Sequence, residues 1–309
     1  MSTKSSISDH ITLAQAKASL LRSGYLLESR VEQFLEESGY YVEANSVYPD
    51  SITNKTREFD IYALNNHSLN DRFGNWVWSV MLIECVNNPQ PIAFITKETP
   101  IPDDFRYEIK LAGLPTKILH DKNTWVSVVD LLEIGSFHHH CFGRIATQFC
   151  SFAKKKNSDE WMAFHEDSHF ESFQKLCDIT NFHANNLLDD WQPGKVETVN
   201  IEFYYPLVVV QGDLVDVRAN KNNGVSLHST QHIHFVKTTI QNNKPTTYHI
   251  DVITEEYLPK YFDIINSEMT EIIKGIKKNI DAMNKSIDEI IKEVKKADSI
   301  NAKRAALSF

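Results

Sequence analysis

The sequence predicts an α/β fold: a mixed central sheet flanked by helices, followed by a β-rich C-terminal part and a long terminal helix. Three observations carry this. Leu27, Val31, Phe34 and Leu35 fall on one stripe of a helix predicted over 26–38. Strand-like runs follow it, at 40–47, 58–64, 76–86 and 91–96, with polar breaks between them. Far downstream, Met269, Ile272, Ile276, Ile280, Met283, Ile287, Ile290 and Val294 recur at spacings of three and four, which marks a long amphipathic helix.

In chain order, residues 12–23 read as a first helix, and Gly39 ends the second as a C-cap would. The strand at 58–64 puts Glu58, Asp60 and Tyr62 on one face. The connector 87–90 is too short for a helical crossover, so 76–86 and 91–96 are expected to pair as an antiparallel hairpin. Residues 145–188 read as helical, broken at the KKKNSD stretch, and Pro193–Gly194 marks a boundary. Strands are expected at 199–205, 206–211, 213–218, 232–239 and 247–254. The expected organisation is a core over 10–192 with a helical extension, a β-rich segment over 195–262, and the amphipathic helix over 263–309.

With 309 residues and 42% apolar content, the chain can bury a full core. A net charge of −9 argues against broad, sequence-independent coating of DNA, though not against a local basic groove. The four cysteines, Cys85, Cys141, Cys150 and Cys177, form no C-x-x-C pair and read as reduced thiols. No run is apolar enough to span a membrane or serve as a secretory signal, so a soluble cytoplasmic protein is expected. Neither a phosphate-binding P-loop, nor a dinucleotide fingerprint, nor a nucleophile elbow occurs.

Two acids stand out. Glu84 closes the apolar run 76–86, where an unpaired charge is costly, and Asp60 lies inside the preceding strand. Glu28 and Glu32 share a helix face beside the apolar stripe. Hard divalent cations take carboxylate oxygens, and a cation held between two strands can polarise a phosphodiester and its attacking water. The order helix with acids, strand with Asp60, strand ending Glu84-Cys85-Val86, then a further strand resembles the PD-(D/E)xK superfamily of restriction-endonuclease-like nucleases over roughly residues 20–100.

That resemblance implies a restriction-endonuclease-like mixed sheet and Mg²⁺- or Mn²⁺-dependent cleavage of DNA in a setting such as restriction or phage defence. It implies Asp60, Glu84 and Glu28 as catalytic acids, and Asp60, Glu84 and the Cys85 backbone carbonyl as metal ligands. The sequence departs from the pattern at Val86, where the family has a lysine. Three arrangements are open. The lysine has moved, with Lys97, Lys55 and Lys110 as candidates; or Gln90 or Asn87 orients the water, with Glu32 a further auxiliary acid; or the fold is an inactive nucleic-acid or protein interaction module. The stripe 263–298 is expected to dimerise or to recruit a partner protein.

The remaining polar clusters have plainer readings. His138-His139-His140 points in several directions on a regular helix or strand, so it reads as structural or as a nucleic-acid contact unless a special loop gathers it. His232 and His234 share a strand face and read as a surface pair, and Lys154–Lys156 reads as a solvated corner.

Overall fold

The computed structural model describes residues 10–23, 25–49, 55–99, 109–120, 124–164, 167–187, 200–220, 224–241 and 244–296. The expected boundary at Pro193–Gly194 lies outside them.

Helix α1 (Leu13–Arg22) starts at Thr12, whose hydroxyl accepts the Gln15 N–H while the Gln15 side chain accepts the Thr12 N–H. Helix α2 (Tyr25–Glu37) buries Leu27, Val31 and Leu35. Strands β1 (Tyr41–Pro49), β2 (Thr56–Ser68), β3 (Trp76–Asn87) and β4 (Ile92–Glu98) follow. Next come the short β5 (Leu111–Gly113), β6 (Lys117–Leu119), β7 (Trp125–Ser127) and α3 (Val128–Leu131). Strand β8 (Arg144–Lys154) and β9 (Trp161–Phe164) form a hairpin, and α4 (Asp167–Asn186) leads to the described C-terminal half. That half holds β10 (Ile201–Gln211), β11 (Leu214–Ala219), β12 (Val225–Thr230), β13 (His232–Gln241), β14 (Lys244–Thr254), α5 (Leu258–Lys278) and α6 (Ile280–Lys296).

The result is a mixed α/β architecture with one 12-stranded sheet in the order β1-β2-β3-β10-β14-β13-β8-β4-β11-β12. Strand β5 adds to β10, β9 adds to β8, and β6 and β7 form a separate pair. The expected hairpin of 76–86 with 91–96 does not form. Strand β3 pairs antiparallel with β2 and parallel with β10, whereas β4 pairs with β8 and β11. Strands β10 to β14, expected as a β-rich segment, therefore complete the same sheet as β1 to β4.

Connector length forces the sheet to curl. Strand β11 stands five places from β10, about 24 Å in a flat sheet at ~4.8 Å per strand. Only Gly212 and Asp213 join the two strands, a reach of about 11 Å. Here Asn88 N–H donates to the Gln211 carbonyl, and a Cβ on Gly212 would lie 2.5 Å from the Asn88 oxygen. Glycine is what lets the two corners cross.

Strand β10 is the hub and is buried along nearly its whole length. It carries Pro206 in mid-sheet, where a missing N–H should cost a ladder bond. Tyr204 N–H points at the Lys110 carbonyl (2.9 Å), so Pro206, two residues on, turns its nitrogen to that same edge. Pairing with β5 ends at Phe203 and pairing with β14 begins at Leu207, so the proline sits in the gap between them.

Two cores cover the two faces. On one, Ile83, Leu207, Val209 and Ile253 pack with α2 and with Leu258, Tyr261, Phe262, Ile265 and Met269 of α5. On the other, Leu82, Val208 and Val252 pack with Phe173, Leu176 and Cys177 of α4. The expected single terminal helix is broken at Asn279, whose side chain donates to the Gly275 carbonyl (2.9 Å). Its stripe is covered by the chain itself: α5 by the sheet, and Ile287, Ile290 and Val294 of α6 by Leu114, Phe73 and Trp125. The motive for dimerisation through 263–298 therefore falls away.

The helical reading of 145–164 is corrected too. Ile145, Phe149 and Phe152 imitate a helical stripe but lie in β8, where a shift in register against β4 puts Ile145 and Ala146 both in the interior. KKKNSD is the tip of the β8–β9 hairpin, with Lys154 and Lys155 paired to Asp159 and Glu160. No helix among the described residues is long and apolar enough to cross a membrane.

Candidate functional site

Strands β2 and β3 pair as far as Ile61 and Ile83, and the acids lie just beyond. Where β2 stops supplying backbone partners, the Asp60 side chain takes over: its Oδ2 accepts the Cys85 N–H at 2.7 Å. In an extended strand a residue's N–H and C=O leave by the same edge, so the Cys85 carbonyl is also on the Asp60 side. Glu84 faces α4, is 2% exposed, and receives two hydrogen bonds from the Lys175 ammonium, at 3.1 and 2.9 Å. Glu28 of α2 is close enough to feel the charges of both Asp60 and Lys175.

The electrostatics are those of three crowded acids and one cation. Burial pushes the Glu84 carboxyl up to about 7, with the charge of Asp60 adding to it, and the Lys175 and Ser172 bonds only partly offset this. Asp60 and Glu28 are raised as well, by burial first. Three carboxylates and one ammonium carry a formal −2 when ionised. An oxygen-rich set with that imbalance suits a divalent cation.

Of the residues named from sequence, Asp60, Glu84, Glu28 and the Cys85 backbone come together. Glu32, one turn past Glu28, is half-buried, and no contact ties it to the group. Gln90 lies in the corner after β3, its N–H directed at the Asn88 side chain. Lys97 is exposed on β4, opposite Ile145, and Lys110 sits over the Tyr248 ring, so neither serves as the lysine. Lys55 is exposed ahead of β2. The amine that reaches Glu84 is Lys175, which sequence reasoning missed. Its only local signal is a lysine flanking the Phe173-Leu176-Cys177 stripe that seats α4 on the sheet.

A second constellation lies on the opposite face, two strands away. Residues 139–141 form a 3₁₀ turn capped by His138, whose ring accepts the His140 N–H. The turn gathers the three histidines that a regular helix or strand would splay. Asp251 of β14, fully buried, accepts at Oδ2 from His139 Nε2 (2.9 Å), His140 Nε2 (2.9 Å) and Tyr261 OH (2.8 Å), and at Oδ1 from His232 Nε2 (2.7 Å). Glu268 of α5 holds His139 Nδ1 at 2.7 Å. Burial opposes a charge on His139, yet Asp251 and Glu268 outweigh it and raise the ring to about 10. Burial also opposes ionisation of Asp251, but the His140 and His139 contacts hold it well below the ordinary carboxylate range. His234, expected at the surface, is 5% exposed and bonds His249 at 2.7 Å.

Compared with known protein families, curated proteins and solved structures, the chain matches none.

Proposed function

We propose that this chain is a metal-dependent nuclease of the restriction-endonuclease-like type, hydrolysing phosphodiester bonds in DNA with Mg²⁺ or Mn²⁺. One observation carries the proposal: Lys175 reaches Glu84 from α4 and stands in for the amine that Val86 cannot supply. Asp60, Glu84 and the Cys85 carbonyl would hold the ion, with Glu28 behind them. The ion supplies a bound water of lowered pKa and neutralises charge at the scissile phosphate.

The chain's own groups set the geometry. The Cys85 N–H orients Asp60. Lys175 sits next to Glu84 and is placed to donate to a phosphate oxygen or to the attacking water. With a chain charge of −9, contact with nucleic acid is local to this group rather than spread over the surface. Val86 motivates the rival reading, an inactive fold kept for binding; the migrated amine weakens that motive.

The test is cleavage of plasmid and linear DNA with Mg²⁺ or Mn²⁺. Asp60→Ala and Glu84→Ala should abolish it, and Lys175→Ala should lower it by about 10²–10³-fold. Cleavage that survives Asp60→Ala and Glu84→Ala would remove these residues from the reaction. No cleavage by a folded wild-type chain that still binds DNA would favour the interaction module.

A further inference from the structure

We propose that His140, His234 and His249 form a second metal site, specific for zinc and its transition-metal neighbours, which clamps the 138–141 turn to the β13–β14 hairpin. Each ring offers one ligand nitrogen, and the three nitrogens lie within 4.8 Å of one another. All three rings are buried: His140 stacks on His234 with centroids 4.0 Å apart, and His249 lies 4.9 Å from His234 and 5.4 Å from His140.

Two other groupings in the same region meet the same distance criterion, His139-His140-Asp251 and His138-His139-Glu268. They are explained without an ion. His139 is a cation wedged between two carboxylates, and every Asp251 contact there is a hydrogen bond of ordinary length. In the His140-His234-His249 set the nitrogen without such an explanation is His234 Nδ1. It is buried with no hydrogen-bond partner, while the other nitrogen of the ring, Nε2, bonds His249 Nδ1 at 2.7 Å. Burying three imidazoles together and leaving a nitrogen orphaned is unfavourable unless something else binds them.

Neutral imidazole is the form that coordinates, and burial holds all three rings below their ordinary pKa, His249 down to about 4. An all-nitrogen set selects zinc, cobalt, nickel or copper over magnesium. Asp251 accepts from His140 Nε2, the carboxylate–histidine pairing that orients metal-bound imidazoles. A cavity of about 10 Å³ lined by His140, His249, Lys110 and Tyr248 has room for about one water, the natural fourth ligand. A cleft of about 300 Å³ reaches His234 from the other side and gives an ion its way in.

The site is independent of the carboxylate group and of the nuclease proposal. The test uses the full chain, purified without a polyhistidine tag, stripped with a chelator and titrated with Zn²⁺ or Co²⁺. One ion per chain is expected, with Co²⁺ giving the visible absorption of a tetrahedral nitrogen site and Zn²⁺ raising the unfolding temperature. His234→Gln and His249→Gln should lose the absorption and the thermal shift, while Asp60→Asn and Glu84→Gln keep both. A folded wild-type chain that shows neither stoichiometric Co²⁺ absorption nor a Zn²⁺ shift overturns the proposal. So does absorption that persists in folded His234→Gln and His249→Gln chains, which circular dichroism identifies.

Discussion

Glu84 at the end of β3 and the histidine group around Asp251 occupy opposite faces of one sheet. Glu84, Val208 and Val252 are in register across three strands, which puts Asp251 about 10 Å from Glu84 along the sheet. They balance charge in opposite ways. Asp251 is surrounded by four donors and is stabilised in its charged form, whereas Glu84, buried and beside the charge of Asp60, is destabilised in its charged form despite the Lys175 ammonium. The first is what a group looks like when the fold depends on it. The second is held in the fold at some cost, which a bound cation would offset under the proposed function.

The sharpest way to break this contrast is truncation. Asp251→Ala strips acceptors from His139, His140, His232 and Tyr261 and leaves a buried imidazolium half-paired. It should destabilise the chain by about 3–5 kcal/mol in urea unfolding. Asp60→Ala should cost far less, because it also relieves the repulsion felt by Glu84 and Glu28. Equal losses at the two sites would erase the distinction.

The acids were legible in the sequence because strand alternation is local: Asp60 and Glu84 needed only their own strands to be recognised. Their neighbours were not. Lys175 lies 91 residues beyond Glu84 and arrives on a helix whose seating depends on the whole sheet. The hairpin reading of β3 and β4 failed because a four-residue connector also fits a corner where a curled sheet folds back, and Gly212 gives no hint of the Asn88 it touches. The histidine run was discounted on regular geometry, and the 3₁₀ turn that rescues it is fixed by Asp251 and Glu268, more than a hundred residues later.

The next effect in size is on pH dependence. The Glu84 carboxyl titrates at about 7 in the fold against an ordinary value of 4.5, so the folded chain holds that proton more tightly than the unfolded chain. The Glu84 contribution to stability should then fall as pH rises from about 4.5 to 7, by about 3 kcal/mol in full. His139, raised from 6.5 to about 10, contributes stability that is fully present below 6.5 and is lost as pH climbs through 10. Between pH 5 and 6.5 the decline from the acids is opposed by His138, His140, His234 and His249, which burial keeps neutral in the fold while they charge in the unfolded chain, so their contribution rises with pH. Glu84→Gln should remove the falling share and make the net slope more positive there, and saturating Mg²⁺ should act in the same direction by replacing the proton. Chemical denaturation of both chains at four or five pH values would show whether the slopes differ in that sense.

Tyr261→Phe is a milder probe of the histidine side. It deletes the donor 2.8 Å from Asp251 Oδ2 and leaves the ring packed against Phe262. A hydrogen bond to a charged acceptor is worth about 1.5–3 kcal/mol, and the three histidine donors retain Asp251 in its ionised form. The expected loss therefore lies near the lower end, and none at all would mean that Asp251 is over-supplied with donors.

The smallest effect concerns the link between the regions. Arg30, two residues past Glu28 on α2, makes a paired contact with Glu255, which follows the strand that carries Asp251. The side chains are 41% and 30% exposed, so solvent screens the pair and Arg30→Ala should cost no more than about 1 kcal/mol. Its use is diagnostic. If the carboxylate and histidine groups are energetically separate, the stability losses of Glu84→Gln and Tyr261→Phe should add to within about 0.5 kcal/mol, with or without Arg30. A larger interaction energy that disappears in Arg30→Ala would show that the bridge couples them. One that persists would place the coupling in β10, whose Leu207 and Val208 separate the two groups face to face.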